Sequence, residues 1–154
     1  MPVHFIRSFF VRPIVFAAAL CALAGSALAQ TSPVGLWRTI DDETKTEKSL
    51  VRITDNAGVL SGKIEKITDP AKATAVCDKC TDERKDQPIL GMTIVRNVRA
   101  SDPGVWEGGE ILDPNNGKNY RVKLRPIEGG KQMEVRGYIG VPMLGRTQTW
   151  IRVE

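Results

Sequence analysis

Apolar and polar residues alternate with a period of two along most of this chain. In "NYRVKLRP", Tyr120, Val122 and Leu124 alternate with Arg121, Lys123 and Arg125, as in a strand with one buried and one wetted face. "KQMEVRGYIG" repeats the pattern, with Met133, Val135 and Ile139 on one side and Glu134, Arg136 and Tyr138 on the other. The same reading predicts strands at 34–41, 49–55, 58–67, 90–99, 104–112, 118–126, 131–139 and 145–153. Between them lie "DNAG", "SDPG", "DPNNG" and "EGGK", whose residues tolerate tight turns or positive φ. No segment has a helical period, apart from a turn or two within 69–87. Eight strands joined mostly by short hairpins predict an all-β fold, a single up-and-down antiparallel meander. Closure into a barrel would remove its two edges.

The first residues break this pattern. Arg7 and Arg12 precede an apolar run from Ile14 to Ala24, and Ala27-Leu28-Ala29 supplies the small residues a signal peptidase accepts. The run is shorter than the roughly 20 residues a bilayer span needs, so residues 1–29 are expected to be an export signal rather than an anchor. Lipid attachment at Cys21 is disfavoured by the large Leu20 before it. Removing 29 of the 154 residues leaves 125, the size of one domain that buries enough surface to fold without a metal. The chain has 22 basic and 18 acidic residues. Two of the arginines belong to the leader, so the domain carries +2, with the signs interspersed. That balance does not suggest a nucleic-acid partner, and the domain itself has no membrane span.

One absence narrows the chemistry further. The only histidine, His4, lies in the leader, which excludes Ser-His and Cys-His catalysis and removes the commonest ligand of catalytic metals. Neither "EGG" continues into a phosphate loop. Asp41-Asp42-Glu43 reads as a solvated turn, and Asp113-Pro114-Asn115-Asn116-Gly117 has turn chemistry rather than the regular acidic spacing of a calcium loop. No cofactor, metal site or catalytic residue is therefore assigned.

"SPVGLWRTID" opens the domain with Gly35-x-Trp37, and "GRTQTWIRVE" closes it with Arg146 and Arg152. This resembles the calycin pattern, lipocalins included, in which a first-strand tryptophan packs under an arginine of the last strand and seals one barrel end. A cation over an indole face is the physical reason for such a meeting. Across residues 33–154 the chain is similar to the exported bacterial family called domain of unknown function 2147, through "GLWRT", "LSGKI", "CDKC", "QPILGM", "WEGGEILDPNNGKNYRVKL" and "RGYIGVPMLGRTQTW". The resemblance implies a lipocalin-like barrel and an exported location, with no defined activity.

An eight-stranded barrel either fills with side chains or encloses one small ligand. The expected interior face carries Leu60, Ile64, Tyr120, Val122, Leu124, Met133 and Val135. Gly62 and Gly137 fall in phase with it and either make room for a ligand or mark bends. Trp106 is the aromatic candidate for lining a cavity mouth, with core packing as the favoured alternative. If the last two strands pair around "GVPMLG", Arg136, Tyr138, Arg146, Gln148 and Trp150 would share an outward side, a composition enriched at interfaces. Val141, Pro142, Met143 and Leu144 would then either form an exposed apolar tip or plug an open barrel end. These features point to a binding module for a small apolar or amphipathic molecule, or for an envelope protein. The alternative is a redox or catalytic protein using Cys77 and Cys80. In an oxidising compartment that pair should form a disulfide. Zinc would find only two thiolates, and a thioredoxin-like role needs a helix start the sequence lacks. The spacing alone fits a redox couple, half a metal site or a clasp, and the compartment, the missing ligands and the position on the long third connection favour a structural clasp.

Overall fold

The structure is a computed structural model that describes residues 31–154; the leader expected over residues 1–29 lies outside the described residues. Eight strands follow one another: β1 (Gly35–Ile40), β2 (Glu47–Asn56), β3 (Val59–Ile67), β4 (Thr93–Ala100), β5 (Trp106–Asp113), β6 (Lys118–Ile127), β7 (Gln132–Tyr138) and β8 (Arg146–Arg152). Each pairs antiparallel with the next, and β1 pairs with β8, giving a closed barrel in simple sequence order. The expected helical turns within 69–87 reduce to one short 3-10 turn, Pro70–Lys72, capped by the Asp69 carboxylate.

Period-two alternation puts Trp37, Val51, Ile53, Leu60, Ile64, Val122, Leu124, Met133 and Val135 into one buried cluster. These include every expected interior residue except Tyr120, which is in phase but half-buried. Gly62 leaves no space for a ligand: a Cβ there would stand 2.9 Å from that of Val95 and 3.4 Å from Val51 Cγ1. It is the gap into which Val95 packs.

One barrel end is sealed as the terminal motif implies. Trp37 is fully buried, and the Arg152 guanidinium lies 4.2 Å from its ring centroid. The indole N–H donates to Pro33 O at 2.7 Å. Arg152 donates to Gly130 O at 2.5 Å, Ser32 O at 2.6 Å and Val34 O at 2.8 Å, tying the entering chain and the β6–β7 turn to the last strand. Burial lowers the Arg152 pKa, and the ring face with three carbonyls offsets the lost water. Gly35 belongs to the same seal. Its φ is +140°, and a Cβ would come within 2.5 Å of Glu154 O and 2.6 Å of Arg152 Nη1, so only glycine fits.

Candidate functional site: the open end of the barrel

At the opposite end emerge the β1–β2 turn, the long β3–β4 connection, the β5–β6 turn and the β7–β8 loop. The register gives the inward side chains of this rim: Thr39 opposite Ser49, Ser49 opposite Ile67, Ile111 opposite Tyr120, and Gly137 opposite Arg146. Deeper in the barrel most inward side chains are buried, with Trp106 and Pro126 among the exceptions. Ser49, Ile67, Ile111, Tyr120 and Gln148 at the rim are each partly exposed, with Thr39 buried beside them. The barrel is a packed floor beneath a shallow open cup.

The cup has an apolar side and a polar side. Ile111 and Tyr120 form the first around Gly137, where an added Cβ would meet them at 3.7 and 3.5 Å, ordinary contact distances. Asn116 Nδ2 donates to Tyr120 Oη at 2.9 Å and fixes the ring from the β5–β6 turn. On the polar side the Thr39 and Ser49 hydroxyls share a 2.8 Å hydrogen bond. Arg146 stands at the rim, paired with Asp42 and with Glu43 at 3.3 Å. Hydrogen bonding from Arg146, aided by Gln148, lowers the Asp42 pKa. Arg146 is correspondingly raised.

The expected outward patch divides. Met133 stands opposite Trp150, Val135 opposite Gln148 and Gly137 opposite Arg146, so Arg146, Gln148 and Trp150 point inward. Trp150 is 2% exposed, part of the floor. Arg136 pairs with Thr147 and keeps the outer face with Tyr138. The sequence expectation was out of phase by one residue on β8, and a one-residue slip flips every side chain to the other face. Trp106 takes the core-packing alternative rather than a cavity mouth. It stands opposite Leu124 on the interior phase, half-buried against the core at the sealed end, away from the open cup.

Nor does the β7–β8 loop plug the opening. Arg136 reaches back from the outer face to donate to Pro142 O at 2.8 Å, Met143 O at 3.3 Å and Thr147 Oγ1 at 2.7 Å. The loop is thereby held with Met143 and Leu144 88% and 82% exposed.

The long connection is built as a small hairpin on the outside of the barrel. Cys77 N donates to Gln87 O and Ile89 N to Ala75 O, both at 2.9 Å, and Cys77 and Cys80 form the expected disulfide. Both cysteines are buried, in one cluster with Leu112, Met92 and Ile94. Cys77 Sγ lies 3.7 Å from Pro114 O. Gly117 has φ +71°, and a Cβ there would collide with the Lys79 carbonyl, so the hairpin rests directly on the β5–β6 turn. Arg84, unremarked in the sequence, pins its far side. Only 4% exposed, it donates to Asp82 at 2.5 Å, Asn119 Oδ1 at 2.7 Å and Thr93 O at 3.2 Å. Asp82 is held far below the usual carboxylate range, chiefly by that arginine. Two concavities open on the surface, about 520 Å³ beside Gly130, Ile151 and Glu154 and about 300 Å³ beside Arg84, Leu90 and Arg96. Neither is lined by the cup's residues.

A family model described as "Uncharacterized protein conserved in bacteria (DUF2147)" matches residues 35–152. The chain belongs to this family. None of the curated proteins matches it significantly. Among solved structures this DUF2147 chain is similar to Protein HP1028 from the human pathogen Helicobacter pylori, described as belonging to the lipocalin family. The two are 18% identical with a TM-score of 0.69, over 80% of this chain and 84% of that one. At that identity the likeness speaks for a lipocalin-like barrel. The DUF2147 match spans the GxW strand, the disulfide hairpin and the arginine strand alike, so the sealed end, the hairpin and the cup all fall inside it.

Proposed function

We propose that this protein is an exported binding module that holds one small amphipathic molecule in the open end of its barrel. The observation that carries the reading is the change in burial along a single interior face. Below the middle of the barrel most inward side chains are buried, and above it Ser49, Ile67, Ile111, Tyr120 and Gln148 remain partly exposed. Such a cup offers an apolar wall with a few convergent polar groups, the usual make-up of a small-molecule site. The apolar part of a ligand would lie against Ile67, Ile111 and Tyr120, and its polar part would meet Ser49 and Gln148. Because Asp42 and Glu43 already neutralise Arg146, the polar part need not be an acid. The leader pattern of residues 1–29 and the cysteine pair support export.

A catalytic or redox role has less support. The domain holds no histidine, and the sulfurs of Cys77 and Cys80 are buried where a redox partner's thiolate could not reach them. The envelope-protein reading loses its five-residue patch to the register of β8.

The test is titration of residues 30–154 with a fluorescent amphiphile such as 1-N-phenylnaphthylamine. Saturable one-to-one binding is expected, and Gly137→Phe, which places a ring across the cup, should weaken it at least about tenfold. Equal binding by a folded Gly137→Phe variant would refute the site.

A further inference from the structure

Met143 and Leu144 stand at the end of the β7–β8 loop with Ile139 and Val141 beside them, the latter two 61% and 54% exposed. Four large apolar side chains on one short tip are more than scattered surface residues, and such a cluster marks a contact with something apolar.

Most carbonyls of the tip are satisfied by the protein itself. Leu144 N donates to Val141 O at 3.2 Å and Gly145 N to Pro142 O at 3.1 Å. Arg136 supplies a second donor to Pro142 O and one to Met143 O. Pro142 has no N–H to satisfy. The carbonyls of Val141, Pro142 and Met143 therefore have donors within the protein, while the N–H groups of Val141 and Met143 have no protein acceptor among the described residues. Satisfied carbonyls lower the cost of placing the tip in the interfacial layer of a bilayer, where the remaining groups still reach water.

The surrounding side chains fit the same occupant. Tyr138 lies on the outer face at the base of the loop, opposite Arg121 on β6. Lys123 and Arg125 on that face are paired with Glu107 and Glu134, whereas Arg121 and Arg136 have no carboxylate partner among the described residues. An apolar tip above a tyrosine and two uncompensated arginines matches the layering of a bilayer interface, with anionic headgroups at the level of the arginines. The outer faces of β6 and β7 carry Arg121, Lys123, Arg125, Glu134 and Arg136 rather than an apolar band, so the contact is a surface one.

We propose that the β7–β8 loop is a membrane-docking tip that inserts Val141, Met143 and Leu144 into the interfacial layer of an anionic phospholipid bilayer. Arg136 acts as a positioning residue, holding the tip outward while filling its carbonyls. The inference does not depend on whether the cup holds a ligand. It would, however, bring the cup's rim to the lipid surface.

The experiment uses residues 30–154, since β1–β8 pairing closes the barrel within that segment, and vesicles of phosphatidylethanolamine with phosphatidylglycerol. The protein should co-sediment with them, and an environment-sensitive fluorophore on Met143→Cys should shift to the blue on binding. The double variant Met143→Asp, Leu144→Asp should lose at least about tenfold in partitioning, while Val153→Asp at the sealed end should bind as the parent does. Any of three results would overturn the proposal: no co-sedimentation, binding unchanged in the double variant, or a bound probe with no shift, which would mean adsorption by charge alone. Self-association through the tip without vesicle binding would overturn it too, in favour of a protein interface.

Discussion

Trp37 is the residue on which closure depends most. Its ring is fully buried, its N–H is satisfied by Pro33, and Arg152 covers one face. Replacing it with alanine removes the ring and leaves a desolvated guanidinium facing a void, and neither loss can relax because Arg152 is bound to three carbonyls. Trp37→Ala should therefore cost about 3 to 5 kcal/mol in chemical denaturation, the range for a large buried aromatic. A cost below about 1 kcal/mol would mean the seal is not holding the barrel shut. This part of the molecule was legible in the sequence through its resemblance to the calycin pattern, with a cation over an indole face as the physical reason for the tryptophan and arginine to meet. Arg84 was not legible. A lone arginine in "DERKD" looks like solvated charge, and only the folded hairpin brings Thr93, Asp82 and Asn119 around it.

Among the elements, the connection between β3 and β4 departs from the meander's short hairpins. A loop of that length would be free to sample many conformations. Here the disulfide, the Arg84 contacts and the fit of Gly117 beneath Lys79 confine it to the outside of the barrel. Closing a ring as small as Cys77–Cys80 contributes about 2 kcal/mol by the chain-entropy estimate. The Cys77→Ser, Cys80→Ser double variant should accordingly lose about that much, with a further loss for two buried sulfurs, yet retain the β spectrum of the barrel. A reversible couple between roughly −120 and −270 mV would contradict a structural role. The eight strands were recoverable from alternation and turn residues, and observed ends fall within three residues of expectation. The facing of β8 was not. "GRTQTWIRV" alternates cleanly, but arginine, glutamine and tryptophan can occupy either side of a barrel whose mouth is wet and whose floor is dry. Pairing with Gly137, Val135 and Met133 decides the side.

At the scale of the whole molecule, the two barrel ends are built for different tasks. The sealed end spends its polar groups on itself, with Arg152, Trp37 and Gly35 saturating one another's contacts. The open end leaves an amphipathic ring half-wet and holds an apolar tip beside it. Sequence pattern predicts the interior face, but the boundary between packed floor and open cup depends on where the closing strands place Trp150 and Gln148, which is a tertiary property. That boundary is what the proposed binding reading rests on. The most direct measurement of this claim is native mass spectrometry of the protein purified from its own cell envelope, beside Gly137→Phe prepared identically. The account predicts that the parent retains one small molecule, released on unfolding, and that the variant retains none. A parent protein that is consistently ligand-free, or a folded variant carrying the same added mass, would contradict it.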